Sequence, residues 1–201
     1  SLQNVSFKEA STHPKWKMGY KNSIDSATLS NKCLELVEAH YLFNIPYKKL
    51  DIVIHPESKI HSIFEFQNSI YNMIAFQNSM DIPIYHFLNQ KFNKKINKRI
   101  YSLPNNFNLH FRPVKLSEFP IFKIFNQLNK NNPSNIIKFN VGNEFAVNLF
   151  KMNRIRYTDI YKIVDKISSI NLNYKLKNIN DVLEYHLLLE RKINEKFQYI
   201  Y

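Results

Sequence analysis

The sequence predicts an α+β protein: a small mixed sheet backed by helices, followed by a C-terminal helical bundle. Three observations predict it. Leu34, Val37, Tyr41 and Leu42 recur at helical spacing behind the capping candidates Asp25 and Ser26. Two runs rich in β-branched and aromatic residues, 60–66 and 70–76, flank the polar Gln67, Asn68 and Ser69. Four further segments of helical length lie beyond a stretch without periodicity.

The first element in chain order is a loop-like segment from His13 to Gly19. The chain has only two glycines and one tryptophan, and Gly19 lies close to Trp16. Lys15 and Lys17 alternate with Trp16 and Met18, so the apolar side chains can point together while the lysines face solvent. That pattern slightly favours a mobile lid over a small substrate against a tryptophan anchoring a loop to the core. Next comes the helix started by Asp25 or Ser26 and running to Leu42. On it Asn31, Glu35 and Glu38 fall at i, i+4 and i+7 and share one polar stripe.

Residues 50–55 read as a strand, and 60–66 with 70–76 as a hairpin. From 88 to 114 the pattern loses periodicity and collects Lys91, Lys94, Lys95, Lys98 and Arg99, then Pro104, Asn105 and Asn106, so it reads as a linker or long crossing segment. The helices expected beyond it cover roughly 116–128, 140–150, 158–170 and 181–197, with Thr158 and Asn180 or Asp181 as caps.

Composition bounds the function. In 201 residues, 44% hydrophobic content with 14% aromatics is ample for a packed core. No apolar run approaches the roughly 20 residues that cross a bilayer, and no signal-peptide pattern opens the chain, which reads as soluble. The chain starts at Ser1, not Met, so it is expected to begin inside a longer or processed protein. A single cysteine, Cys33, excludes an internal disulfide and fits a reducing compartment. The net charge of +12 would suit a nucleic-acid partner. Heavy use of Lys, Asn and Ile throughout is better explained by an AT-biased genome, and an RNA-binding role for residues 91–99 with Phe92 and Tyr101 is the weaker reading.

The residues that carry chemistry cluster early. A helix N-terminus supplies backbone N–H groups, and Ser26, Asn31 and Lys32 add side-chain donors, together a credible phosphate pocket. Ordinary capping and solvent exposure would explain the same residues. Glu35 lies one turn further on, where a carboxylate could hold Mg²⁺ or Mn²⁺ beside a phosphorylated substrate, with the other ligands from elsewhere. His13, His40, His55 and His61 have no HExxH spacing and no cysteine cluster, which argues against zinc. His55 and His61 stand where a half-buried histidine satisfied by the backbone is common, and Ser58 between them either meets a ligand or caps a turn. There is no phosphate-binding glycine loop, no GxGxxG and no GxSxG.

These residues resemble a known family. His13, Pro14, Trp16, Met18 and Gly19, then Asp25, Ser26, Ala27 and Thr28, then Asn31, Lys32, Leu34, Glu35, Glu38 and Ala39, with Leu42 and Phe43 beyond, closely resemble the 1-deoxy-D-xylulose 5-phosphate reductoisomerases. The likeness continues through Ile54, His55, Pro56, Ser58, Ile60, His61 and Ser62 and through Pro83 and Ile84. It is weaker at Asn140, Asn143 and Glu144 and at Tyr157 to Ile160.

The resemblance implies conversion of 1-deoxy-D-xylulose 5-phosphate to 2-C-methyl-D-erythritol 4-phosphate with NADPH and Mg²⁺ or Mn²⁺, in isoprenoid precursor synthesis (the MEP pathway). It implies that Ser26, Asn31 and Lys32 hold the substrate phosphate or neighbouring hydroxyls and that His13 contacts substrate. Trp16 and Met18 would belong to a flap, Glu35 would be a metal ligand with Glu38 in support, and Ser58 and His61 would line the far wall. It further implies a homodimer in a bacterial cytoplasm or plastid-type organelle. On this resemblance 1–87 is part of the catalytic domain, 88–113 a linker and 114–201 the C-terminal helical domain. The family's N-terminal Rossmann domain and two further metal ligands would be absent, and this chain alone inactive; the alternative is a truncated or degenerate relative that keeps the fold as a non-catalytic binding or assembly module. Cys33 stands in place of a glycine, where an added side chain could narrow the pocket, and residues 78–81 and Gln90 also depart from the family pattern.

Overall fold

The computed structural model describes residues 2–14, 18–92, 108–172 and 174–197. Trp16 and most of the basic stretch 91–99 lie outside the described residues. The order of elements is α1 (Phe7–Ala10), α2 (Tyr20–Thr28), α3 (Ser30–Phe43), β1 (Val53–Ile54), β2 (Ile60–Phe66), β3 (Ile70–Ala75), α4 (Asp81–Phe92), β4 (Arg112–Pro113), α5 (Pro120–Gln127), α6 (Pro133–Lys151), α7 (Ile160–Ser168) and α8 (Ile179–Phe197). The α+β class therefore holds. The chain divides into two compact units, one with α1–α3 and α5–α8, the other within Ile52–Val114 and carrying both strand pairs and α4.

The helical unit has its core where α5 to α8 pack. Helix α8 buries Tyr185, Leu189, Ile193 and Phe197, one residue per turn, so a single apolar stripe faces inward. Helix α7 does the same with Ile160, Ile163, Val164 and Ile167. Each such side chain contributes about 1.5–3 kcal/mol when wholly buried. Where α6 meets α7, Gly142 brings the backbones close: a Cβ there would stand 3.0 Å from Cγ2 of Ile167. Phe125 of α5 meets Phe139 of α6 edge-on at 5.4 Å. Pro120 and Pro133 open α5 and α6, positions where the missing N–H costs no helical bond.

Two polar groups inside this core are paired across it. Lys138 is 4% exposed and donates to the Ile170 carbonyl at 3.0 Å. The Tyr185 hydroxyl donates to the Leu172 carbonyl at 2.7 Å, and burial pushes its pKa up to about 12.

Among the described residues the second unit contains two separate antiparallel pairs, β1 with β4 and β2 with β3, in place of one mixed sheet. The hairpin turns at Asn68 and Ser69, both in the left-handed region, as the polar tripeptide predicts. Every residue of β3 is exposed.

Several expectations are corrected. The helix expected from Asp25 to Leu42 starts earlier, at Tyr20, and is broken at Leu29, whose φ of 63° ends α2 and begins α3. Asp25 and Ser26 are thus in the last turns of α2 and are not N-caps; Asp25 is buried. Only Val53 and Ile54 of 50–55 form a strand. Helix α6 begins seven residues before the expected start at 140, capped by Asn132, which accepts from the Ser134 N–H. The cap of α8 is Asn178, which accepts from the N–H groups of Asn180 and Asp181. Helix α7 follows a turn at Tyr157–Asp159, and Thr158 does not cap it.

Candidate functional site

The break at Leu29 creates the first helical turn on which the phosphate argument depends. Leu29 is apolar and 6% exposed, so burial of its side chain holds a conformation that non-glycine residues rarely adopt. Its N–H donates to the Ser26 carbonyl at 3.2 Å and its carbonyl accepts from Cys33 N–H at 3.0 Å. The Thr28 hydroxyl accepts from the Ser30 N–H at 3.4 Å. The next N–H groups, of Asn31 and Lys32, lie in the turn where an α-helix has no internal acceptor to offer. Ser26 precedes this N-terminus by one turn.

Asn31, Lys32 and Glu35 are brought into direct contact. The Asn31 side-chain amide donates to one Glu35 carboxylate oxygen at 2.7 Å, and the Lys32 ammonium to the other at 2.7 Å. This is the stripe that i, i+3 and i, i+4 spacing predicts. Lys32 and Glu35 keep 47% and 43% of their side chains in solvent, so the pair is open to ligand. An ammonium has three donors and a carboxylate about four acceptor positions, so both retain bonding capacity. Glu38 is exposed on the same helix.

The ground beneath this turn is fixed from α6. Asp25 is 2% exposed; its carboxylate accepts from the Asn143 amide at 2.8 Å and from the Lys21 ammonium at 2.6 Å. Asn143 is fully buried, and its own amide oxygen has no partner among the described residues.

His13 and Met18, in the segment before α2, are half-buried, and burial lowers the His13 pKa. Cys33 does not reach the solvent face that carries Lys32. It is 0% exposed, and burial pushes its thiol pKa well up.

Ser58 and His61 belong to the other unit. Ser58 has φ 53° and closes a turn by donating its N–H to the His55 carbonyl at 3.1 Å. The His61 Nε2 lies 3.0 Å from the Phe76 carbonyl, and its ring stacks on Phe76 at 3.7 Å. Beside Ser58, Glu57 joins His55 and His110, a cluster that sequence reasoning missed because 53 residues separate Glu57 from His110.

Among the described residues no three His, Cys, Asp or Glu side chains converge as a metal site, so Glu35 is a single hard oxygen donor. No helix among them is long and apolar enough to cross a membrane.

Two family profiles match: the 1-deoxy-D-xylulose 5-phosphate reductoisomerase C-terminal domain over residues 1–43, and the DXP reductoisomerase C-terminal domain over residues 77–191. The 1-deoxy-D-xylulose 5-phosphate reductoisomerase of Sulfurihydrogenibium sp. (strain YO3AOP1) is 36% identical over 194 residues, covering 96% of this chain and 51% of its own length. The apicoplastic enzyme of Plasmodium falciparum is 34% identical over 201 residues, covering 100% of this chain and 41% of its own. A DOX-P reductoisomerase crystallised with NADPH, fosmidomycin and magnesium superposes with TM-score 0.85 at 32% identity, over 96% of this chain and 49% of that one. The Zymomonas mobilis enzyme with NADPH gives TM-score 0.81 at 29% identity, over 98% and 51%. The chain spans about half the length of these relatives.

Proposed function

Since this chain belongs to the 1-deoxy-D-xylulose 5-phosphate reductoisomerase family, we propose that it is the C-terminal half of such an enzyme, carrying the phosphosugar-binding wall and one metal ligand. The observation that carries this reading is Glu35 gripped by both Asn31 and Lys32 at the open start of α3. The proposed reaction is conversion of 1-deoxy-D-xylulose 5-phosphate to 2-C-methyl-D-erythritol 4-phosphate.

In this reading Ser26, Asn31, Lys32 and the first N–H groups of α3 bind the substrate phosphate or adjacent hydroxyls. Lys32 supplies the charge, and the helix start favours an anion. Within Ile52–Val114, the Ser58 hydroxyl is assigned a substrate oxygen, and His61, whose Nε2 lies 3.0 Å from the Phe76 carbonyl, the same wall. His13 contacts substrate, and Trp16 with Met18 forms the flap that excludes water.

Glu35 fits a hard divalent cation: it is an open carboxylate with acceptor positions to spare, and Mg²⁺ is often held by only one or two carboxylates besides water and substrate. When bound, the ion polarises substrate oxygens as a Lewis acid. The described residues do not fit a dinucleotide. Its glycines, Gly19 and Gly142, form no glycine-rich turn, and the described strands form only antiparallel pairs. NADPH binding, the remaining metal ligands and the dimer are assigned to the whole protein, and the 201-residue chain alone is inactive.

The test is NADPH oxidation by the whole gene product with 1-deoxy-D-xylulose 5-phosphate and Mg²⁺, compared with Ser26→Ala. Turnover in the native protein with a raised KM in the variant supports the reading. Absence of turnover overturns it.

A further inference from the structure

The turn from His55 to Ser58 is clasped to the chain segment entering β4. Ser58 holds a left-handed φ of 53°, a conformation that persists in a non-glycine residue when its surroundings fix it. The surroundings here are one carboxylate. Glu57 accepts from the His110 ring Nδ1 and from the His110 main-chain N–H at 3.2 Å, and His55 Nδ1 lies 3.0 Å from its carboxylate. His55 Nδ1 also lies 2.9 Å from the His110 carbonyl oxygen, and the Phe111 ring stacks on the His55 ring at 4.7 Å. Two residues further on, Arg112 pairs with Ile54.

The hydrogen positions follow from the partners. Both neighbours of His55 Nδ1 are acceptors, so that nitrogen carries the proton, and His110 Nδ1 must carry one to face a carboxylate. Two donors of His110 therefore bind Glu57, while the His55 N–H faces the His110 carbonyl with the Glu57 carboxylate beside it. The two bonds fall on different carboxylate oxygens, so only an acceptor-only side chain satisfies both; a glutamine has one oxygen and would turn an N–H₂ group toward a donor.

We propose that Glu57 and His110 are positioning residues, whose clasp sets the backbone of Ser58 and thereby aims its hydroxyl at the phosphosugar. The inference rests on the Ser58 assignment above. It assigns no contact with substrate to Glu57 or His110. Its consequence is a binding defect without a chemical defect, because a misaimed hydroxyl weakens ground state and transition state alike.

The experiment uses the whole gene product and Glu57→Gln, His110→Ala and His110→Asn. An asparagine amide reaches the position of Nδ1–H, so His110→Asn retains the donor. Glu57→Gln and His110→Ala should raise KM for 1-deoxy-D-xylulose 5-phosphate by about tenfold, the scale of one lost hydrogen bond, with kcat nearly unchanged. His110→Asn should stay near wild type. Amide hydrogen exchange at Ser58, which needs no turnover, should accelerate in the first two variants and not in the third. An unchanged KM in an active Glu57→Gln enzyme, or a fall in kcat with KM unaltered, overturns the positioning role. Unaltered exchange at Ser58 overturns the clasp itself. If the wild type shows no turnover, the substrate reading falls and the positioning role with it, while exchange still decides the clasp.

Discussion

Asp25 and Asn143 meet through a buried hydrogen bond of 2.8 Å that ties α2 to α6 across 118 residues of sequence. Asp25 immediately precedes Ser26 in the last turns of α2. The bond also explains why Asp25 is no helix cap: its carboxylate faces the interior, where Asn143 and Lys21 satisfy it.

Replacing Asp25 by alanine leaves the fully buried Asn143 amide without any partner among the described residues. A buried polar group stripped of its partner costs about 1–3 kcal/mol. A lower urea midpoint at unchanged m-value is the expected result.

Gly142→Ala sets two effects against each other. Alanine favours the helix by roughly 1 kcal/mol, while overpacking costs about 1–3 kcal/mol. The added Cβ would lie 3.0 Å from Ile167, which is 0% exposed and has no room to retreat. Overpacking wins, and thermal unfolding should show a lower Tm.

Cys33 should resist thiol reagents in the folded protein. Burial raises its pKa and blocks access, so the reactive thiolate is scarce. Labelling is expected only after denaturation.

Glu57 gives a pH dependence with a definite sign. The hydrogen bond from the His110 ring, with the His110 main-chain N–H, holds its carboxyl at about 2, below the ordinary 4.5. A depressed folded-state pKa contributes stability that is full above 4.5 and is lost as pH falls from there toward 2. Exchange protection of the His110 amide should decline over that window, and Glu57→Gln should remove the dependence.

Local signals in the sequence carried much of this architecture. The hairpin was legible because β-prone runs and a polar turn agree, and α8 because its apolar residues recur every turn. Asn31, Lys32 and Glu35 were legible because contacts between them follow from helical spacing alone. The break at Leu29 was not: no glycine or asparagine marks it, and a leucine is left-handed there only because tertiary burial outweighs local preference. The same holds for the Asp25 to Asn143 bond and the Glu57 clasp, whose partners are remote in sequence. The start of α6 carried a signal, Asn132 before Pro133, and the periodic pattern drew the boundary too late.

The central claim is that the open start of α3 holds phosphate through Lys32 and metal through Glu35. It is tested most directly by titrating the whole gene product, Lys32→Ala and Glu35→Gln with substrate at fixed Mg²⁺ and with Mg²⁺ at fixed substrate. The account expects Lys32→Ala to raise the substrate concentration required and Glu35→Gln to raise the Mg²⁺ concentration required or abolish turnover. Substrate and Mg²⁺ dependences in both variants that match the native protein would contradict it.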